Sequence, residues 1–176
     1  MMKLLSRLQA YCGFRKNSIP EKVLTYCMEN KLTIATAESC TAGMIAATIG
    51  NMSGVSEIFS EGYVTYSNDA KERLLGVPHD ILESHGAVSE ETARAMAEGV
   101  CRRTGAHIGI AATGIAGPTG GTAEKPVGLV YIGVCFGDET SVKKCLFHGT
   151  RNHVRSMTVF TAFDEVGKRL KISIDK

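Results

Sequence analysis

The stretch Leu32-Thr33-Ile34-Ala35-Thr36-Ala37-Glu38-Ser39-Cys40-Thr41-Ala42-Gly43-Met44-Ile45-Ala46-Ala47 passes from apolar, partly β-branched residues into small helix formers. That change of pattern predicts a short buried strand over residues 32–36 and a helix from about Thr41 to Asn51, with a corner at Ser39 between them. A hydroxyl at such a corner faces the crevice above a sheet. The helix start offers unpaired N–H groups and a partial positive charge, which suit a phosphate or a developing oxyanion. Ser39 and Thr41 therefore have two readings: caps that satisfy the helix start, or groups that do chemistry.

Outward from this corner, 176 residues, 44% of them hydrophobic and 22% charged, suffice for one domain with a sizeable core. We expect residues 18–176 to form it, behind an N-terminal extension of residues 1–17. Lys3, Arg7, Arg15 and Lys16 interrupt Leu4, Leu5 and Leu8, so the extension reads as a short leading helix more than a targeting or membrane-surface segment. A net charge of +2 with scattered basic residues gives no reason to expect nucleic acid. No run approaches the ~20 apolar residues of a membrane span. The six cysteines, at positions 12, 27, 40, 101, 135 and 145, form no C-x-x-C pair and have no zinc-finger histidine spacing. They read as reduced thiols of a cytoplasmic protein, with no metal and no cofactor expected.

Ser18-Ile19-Pro20-Glu21 combines a cap, an early proline and a Glu three residues on, so a helix should run to about Asn30. Gly62-Tyr63-Val64-Thr65-Tyr66-Ser67 reads as a second strand, and Asn68-Asp69 opens a short helix carrying Lys71. A segment to about His85 precedes a strong helix from Ser89, whose Ala93, Met96, Ala97, Val100 and Cys101 recur at helical spacing. His107 to Ala112 is a third strand, feeding the glycine-rich Thr113-Gly114-Ile115-Ala116-Gly117-Pro118-Thr119-Gly120-Gly121. That loop is neither a Walker motif nor a dinucleotide fingerprint, and it reads either as a turn-rich connection or as an anion cradle. Pro126–Phe136 and Ser141–Phe147 form a hairpin across Gly137-Asp138, and a helix runs from Gly149-Thr150-Arg151 to about Leu170. Val159, Phe163, Val166 and Leu170 give that helix one apolar edge, and Met157 and Phe160 a second, which suggests a subunit contact. The alternation predicts an α/β fold with a mixed, mostly parallel sheet of about five strands and helices on both faces.

Hydrolysis of an amide needs a nucleophile, a base and donors for the oxyanion. Ser39, Lys71 and the N–H groups after Ser39 could supply the three, provided burial lowers the Lys71 pKa. The bland alternatives are a solvated Lys71 paired with Asp69 or Glu72, and a Tyr66 whose hydroxyl merely satisfies a core phenol. The five histidines are dispersed and suggest no Ser-His-Asp triad.

Together, A-E-S-C-T-A-G, E-G-Y-V-T-Y-S-N-D-A-K, H-G-A-V-S-E-E, T-G-I-A-G-P-T-G-G and E-K-P-V-G-L-V-Y resemble the C-terminal domain of the competence/damage-inducible CinA family, over about Val23 to Leu170. Members of that family are similar to nicotinamide-mononucleotide amidohydrolase. The resemblance implies a three-layer α/β/α sandwich without the N-terminal domain of longer CinA proteins. It also implies hydrolysis of nicotinamide mononucleotide to nicotinic acid mononucleotide and ammonia by Ser39, Lys71 and Tyr66. Cys40, Thr41, Asn68, Thr113, Gly114, Gly117, Gly120, Gly121 and Arg151 are then expected to bind the substrate, with Arg151 on its phosphate. A homo-oligomer, most simply a dimer, is expected. Thr150 stands in place of the Asp of the family's G-D-R turn, and Ala42 in place of the first Gly of A-E-S-C-T-G-G. The competing expectation is a non-catalytic nucleotide- or protein-binding module of the same fold, with a regulatory role in competence or DNA damage.

Overall fold

The computed structural model describes residues 17–172. In chain order it contains α1 (Ile19–Glu29), β1 (Ile34–Glu38), α2 (Met44–Gly50), a 3-10 turn (Val55–Glu57), β2 (Phe59–Val64), α3 (Asn68–Leu75), α4 (His79–His85), α5 (Glu90–Thr104), β3 (Ile108–Gly114), β4 (Leu129–Phe136), β5 (Glu139–Leu146) and α6 (Arg151–Arg169). The five strands form one mixed sheet in the order β2-β1-β3-β4-β5. β1 pairs in parallel with β2 and with β3, whereas β4 runs antiparallel to β3 and to β5. Four strands thus share a direction, but the ladders divide evenly between the two kinds.

Helices cover both faces, as the alternating pattern requires. On one side α1, α2 and α6 bury Val23, Leu24, Ile45, Ile49, Val154 and Phe163 against Ile34, Ile110 and Ile132. On the other, α3, α4 and α5 bury Leu75, Leu82, Met96 and Val100 against Ala35, Ala37 and Ala111. The strand residues of this second face are small because α5 lies almost on the backbone: a Cβ at Gly109 or at Gly133 would come within 2.5 Å of the Ala97 or Ala93 carbonyl oxygen, respectively. Substituting either glycine would push α5 off the sheet.

The hairpin strands shift from the sequence expectation to Leu129–Phe136 and Glu139–Leu146, and three boundaries near the Ser39 corner differ as well. β1 occupies 34–38, not 32–36, so Glu38 belongs to the strand and is fully buried. β2 ends at Val64, leaving Tyr66 in the connection to α3 rather than on the strand. α2 begins at Met44, after a turn over 40–43 that holds Ala42 at φ 49° and Gly43 at φ 90°. A left-handed residue cannot continue a right-handed helix, so the helix starts only beyond these two. The leading helix expected over residues 1–16 lies outside the described residues. No helix among the described residues is long and apolar enough to cross a membrane.

Candidate active site

The site is built where the carboxyl ends of β1 and β3 meet the β2–α3 connection, the edge at which open α/β sheets hold ligands. Glu38 pairs with Ala112, and the Ser39 N–H donates to the Ala112 carbonyl at 2.9 Å, which carries the ladder one residue past β1. Ser39 is therefore fixed beside Thr113. On the other side the Thr65 N–H donates to the Glu38 carbonyl at 2.8 Å, bringing the start of the β2–α3 connection against the same strand end.

Lys71 comes from the first turns of α3. A helical side chain leans toward the helix N-terminus, so its ammonium returns over the start of α3. There Nζ meets the carbonyls of Thr65 (3.0 Å), Tyr66 (3.4 Å) and Ser67 (3.5 Å) and lies 3.4 Å from Ser39 Oγ. Lys71 is only 1% exposed. No carboxylate among the described residues forms an ion pair with it. Burial pushes its pKa below the usual 10.5, against a smaller opposing pull from Cys40. A solvated lysine paired with Asp69 or Glu72 is excluded: Asp69 pairs with Arg73, and Glu72 with His79. Burial also pushes the neighbouring Cys40 thiol up to about 12, so Cys40 is no thiolate nucleophile.

The model of the CinA C-terminal domain matches residues 16–170. The chain belongs to the CinA C-terminal domain family. A Kosmotoga olearia CinA-like protein is 49% identical over 158 residues, which are 90% of this chain and 38% of that protein. A Clostridium beijerinckii protein named for competence-damage induction is 55% identical over 147 residues, 84% of this chain and 36% of that protein. The chain thus spans little more than a third of these curated relatives. Among solved structures, the competence/damage inducible protein of Agrobacterium tumefaciens superposes with TM-score 0.82 at 38% identity, covering 90% of this chain and 94% of that one. A competence damage-inducible protein A of Klebsiella pneumoniae superposes with TM-score 0.86 at 31% identity, covering 91% and 99%.

The other expected residues of this CinA domain divide. Tyr66 is 58% exposed; its hydroxyl accepts from Arg151 Nη2 at 3.1 Å, and only its carbonyl reaches Lys71. Arg151, at the first position of α6, also donates through Nη1 to the Gly117 carbonyl at 3.0 Å, and so ties Tyr66 to the glycine-rich loop. Thr150 caps α6 by accepting from the His153 N–H, so Thr does here what the family's Asp would do. Thr113 Oγ1 donates to the Ala87 carbonyl at 2.6 Å, which binds the loop after α4 to β3. Asn68 is exposed, and its side chain makes no hydrogen bond within the described residues. The loop glycines have a packing role: a Cβ at Gly117 would come 2.5 Å from Val127 Cγ1, and one at Gly121 2.6 Å from the Val127 nitrogen.

One expectation is overturned. The start of the helix after Ser39 does not face a ligand, because the Glu38 carboxylate occupies it, accepting from the Ile45 N–H (3.0 Å) and the Ala46 N–H (2.8 Å). Neither Ser39 nor Thr41 caps α2. The unengaged donors lie earlier, in the turn itself: the N–H groups of Thr41 and Gly43 have no hydrogen-bond partner among the described residues, whereas that of Cys40 faces its own thiol. Sequence reasoning also missed Arg155, whose Nη2 donates to the Thr41 carbonyl at 2.7 Å while Nε is buried without a partner. Its signal was its place one helical turn after Arg151. That of Glu38 was a carboxylate in an apolar run, followed by a helix whose cap position holds only glycine.

Proposed function

We propose that this CinA domain is a nicotinamide-nucleotide amidase that hydrolyses the carboxamide of nicotinamide mononucleotide through an acyl-enzyme on Ser39. The observation that carries the reading is Lys71: buried, lacking a counter-charge, and 3.4 Å from a hydroxyl. In its neutral form it keeps two N–H groups for the carbonyls of Thr65 and Tyr66 and turns its lone pair to Ser39 Oγ. Lys71 takes the Ser39 proton as Oγ attacks the carboxamide carbon, and the free N–H groups of the 40–43 turn receive the oxyanion. Lys71 then protonates the departing nitrogen. Ammonia leaves, and water cleaves the acyl-enzyme by the same route in reverse.

Arg151 retains N–H groups beyond those spent on Tyr66 and Gly117, in the planar fork that suits a phosphate. Tyr66 orients Arg151 in this scheme and neither attacks nor takes a proton. The apolar side chain of Phe160, 48% exposed on α6, fits the expected dimer. A non-catalytic module has no use for a buried lysine without a counter-charge, which costs folding energy even when carbonyls meet its ammonium. The test is ammonia release from nicotinamide mononucleotide by the purified chain, with Ser39→Ala as control. Turnover that depends on Ser39 is expected; its absence from a folded, monodisperse sample overturns the assignment.

A further inference from the structure

Away from the site, the helix face formed by α3, α4 and α5 carries two cysteines that the chemistry above does not use. Cys101 lies in the last turn of α5, and its Sγ rests where a side chain of β3 would stand: an ideal Cβ on Gly109 would be 2.6 Å from it. Gly109 is the cross-strand partner of Cys135 on β4. Side chains of paired residues project from the same face, with Cβ atoms about 4.5–5.5 Å apart. The missing Cβ at Gly109 therefore seats the Cys101 sulfur beside Cys135, whose own thiol donates to the Gly137 carbonyl at 3.5 Å. Both line one cavity of about 420 Å³, with Arg102, Ala106, Asp138 and Thr140. Cys101 is half-buried and Cys135 is buried. The other described cysteines, Cys27, Cys40 and Cys145, all belong to the opposite face of the sheet.

We infer that Cys101 and Cys135 are a dithiol modification site that a peroxide closes into a disulfide, covalently joining the last turn of α5 to β4. Peroxide oxidises the more accessible Cys101 thiol to a sulfenic acid and is itself reduced to water. The Cys135 sulfur then attacks the Cys101 sulfur, a second water leaves, and the S–S bond forms. Burial, and after it the neighbouring Cys135 thiol, push the Cys101 thiol up to about 12, which makes the first step slow. The second step is intramolecular between groups already adjacent, and outruns further oxidation of the sulfenic acid. The disulfide forms at the start of β3, the end of the sheet opposite Ser39, so this site does not depend on the proposed amidase activity.

The test begins with the unmodified sequence. Hydrogen peroxide followed by non-reducing peptide mapping should give one cross-linked peptide joining residues 101 and 135, the loss of two hydrogens from the intact mass, and full reversal by dithiothreitol. A cross-link joining other cysteines, or sulfinic acid at 101 and 135 without a cross-link, would overturn the inference. Phenylarsine oxide, which bridges adjacent thiols, supplies an oxidation-free arm: one equivalent should bind the parent chain and none should bind Cys101→Ser or Cys135→Ser. Undiminished uptake by either variant would equally refute it.

Discussion

The two strand-to-helix corners of the site are built with opposite polarity. At the β1–α2 corner the helix is capped from behind by the Glu38 carboxylate, and the turn that follows Ser39 presents N–H groups with no internal partner. At the β2–α3 corner the helix is capped in the common way, Ser67 Oγ accepting from the Ala70 N–H at 3.1 Å, and the connection turns three carbonyls inward onto Lys71. One corner offers donors and the other acceptors. Donors suit a developing negative charge, whereas acceptors hold a lysine by its N–H groups while its lone pair faces the hydroxyl between the corners. In the proposed reaction the polarity of the site resides in how each helix start is capped.

The largest effect comes from emptying the centre. Ser39→Ala and Lys71→Ala should each lower kcat by about three to six orders of magnitude, with the double variant little worse than either, because residues acting as one unit are strongly non-additive. Near-normal turnover in Ser39→Ala would leave Ser39 a structural corner. Lys71→Arg should not rescue, since a guanidinium stays protonated. The pH profile follows from the direction of the Lys71 shift. Burial lowers its pKa, so kcat/KM should climb as pH rises through a value below 10.5 and level off above it. Folding follows the same sign: the unfolded chain binds this proton more tightly, so stability is lost as pH falls from 10.5 toward the folded pKa. Lys71→Met, similar in volume and uncharged, should raise Tm near neutral pH while abolishing turnover. A fall in Tm would mean that the three carbonyls hold a protonated lysine that stabilises the fold.

Glu38 decides the next effect. Glu38→Ala leaves the Ile45 and Ala46 N–H groups buried without an acceptor, and the loss should be about 2–5 kcal/mol in denaturant unfolding. Glu38→Gln keeps one oxygen as acceptor and should recover half or more of that loss. If the Ala variant is as stable as the parent, α2 has another cap and the contrast between the corners fails.

Much of the layout was legible because it rests on periodicity. The strand and helix order, the hairpin across Gly137-Asp138 and the packing face of α5 all follow from local pattern, and the mixed sheet follows from the hairpin closing an alternating chain. Ser39 and Lys71 could be paired because each sits at a strand-to-helix corner; Lys71 Nζ lies 3.4 Å from Ser39 Oγ. What local pattern could not supply was the exchange of partners across distance. Glu38 caps residues seven and eight positions ahead, and Arg155 reaches a carbonyl 114 positions away. The start of α2 was misplaced for a similar reason. Ala42 is a good helix former by propensity, yet the turn holds it left-handed.

Arg151 and Arg155 of α6 separate binding from turn geometry. Arg151→Ala should raise KM for the mononucleotide about 10–100-fold with a smaller change in kcat, as expected for a lost charge-assisted phosphate contact. The phosphate-free riboside should be almost unaffected. Arg155→Ala frees the Thr41 carbonyl and loosens the turn that carries the oxyanion donors, so kcat should fall about 10-fold or more at similar KM. A reversed pattern would place the substrate anion at Arg155.

The smallest expected effect falls on Ala42, the exposed residue at φ 49° in the middle of that turn. An L-residue with a Cβ held left-handed costs roughly 1–2 kcal/mol relative to its right-handed conformation, a cost glycine does not carry. Against this, glycine adds roughly 0.5–1 kcal/mol of unfolded-state entropy to be lost on folding. The exposed methyl loses almost no burial on removal. The difference leaves Ala42→Gly neutral to about 1 kcal/mol more stable, at most a few degrees in Tm for a chain of this length. Activity tests the same point from the other side. The Ala42 N–H closes the turn onto the Ser39 carbonyl at 3.1 Å, and glycine preserves that bond, so kcat should stay within about twofold if the turn is held by Glu38 and Arg155. If kcat drops tenfold while stability rises, the stiffness of alanine itself keeps the oxyanion donors in place, and the cost of the left-handed residue is retained for catalysis.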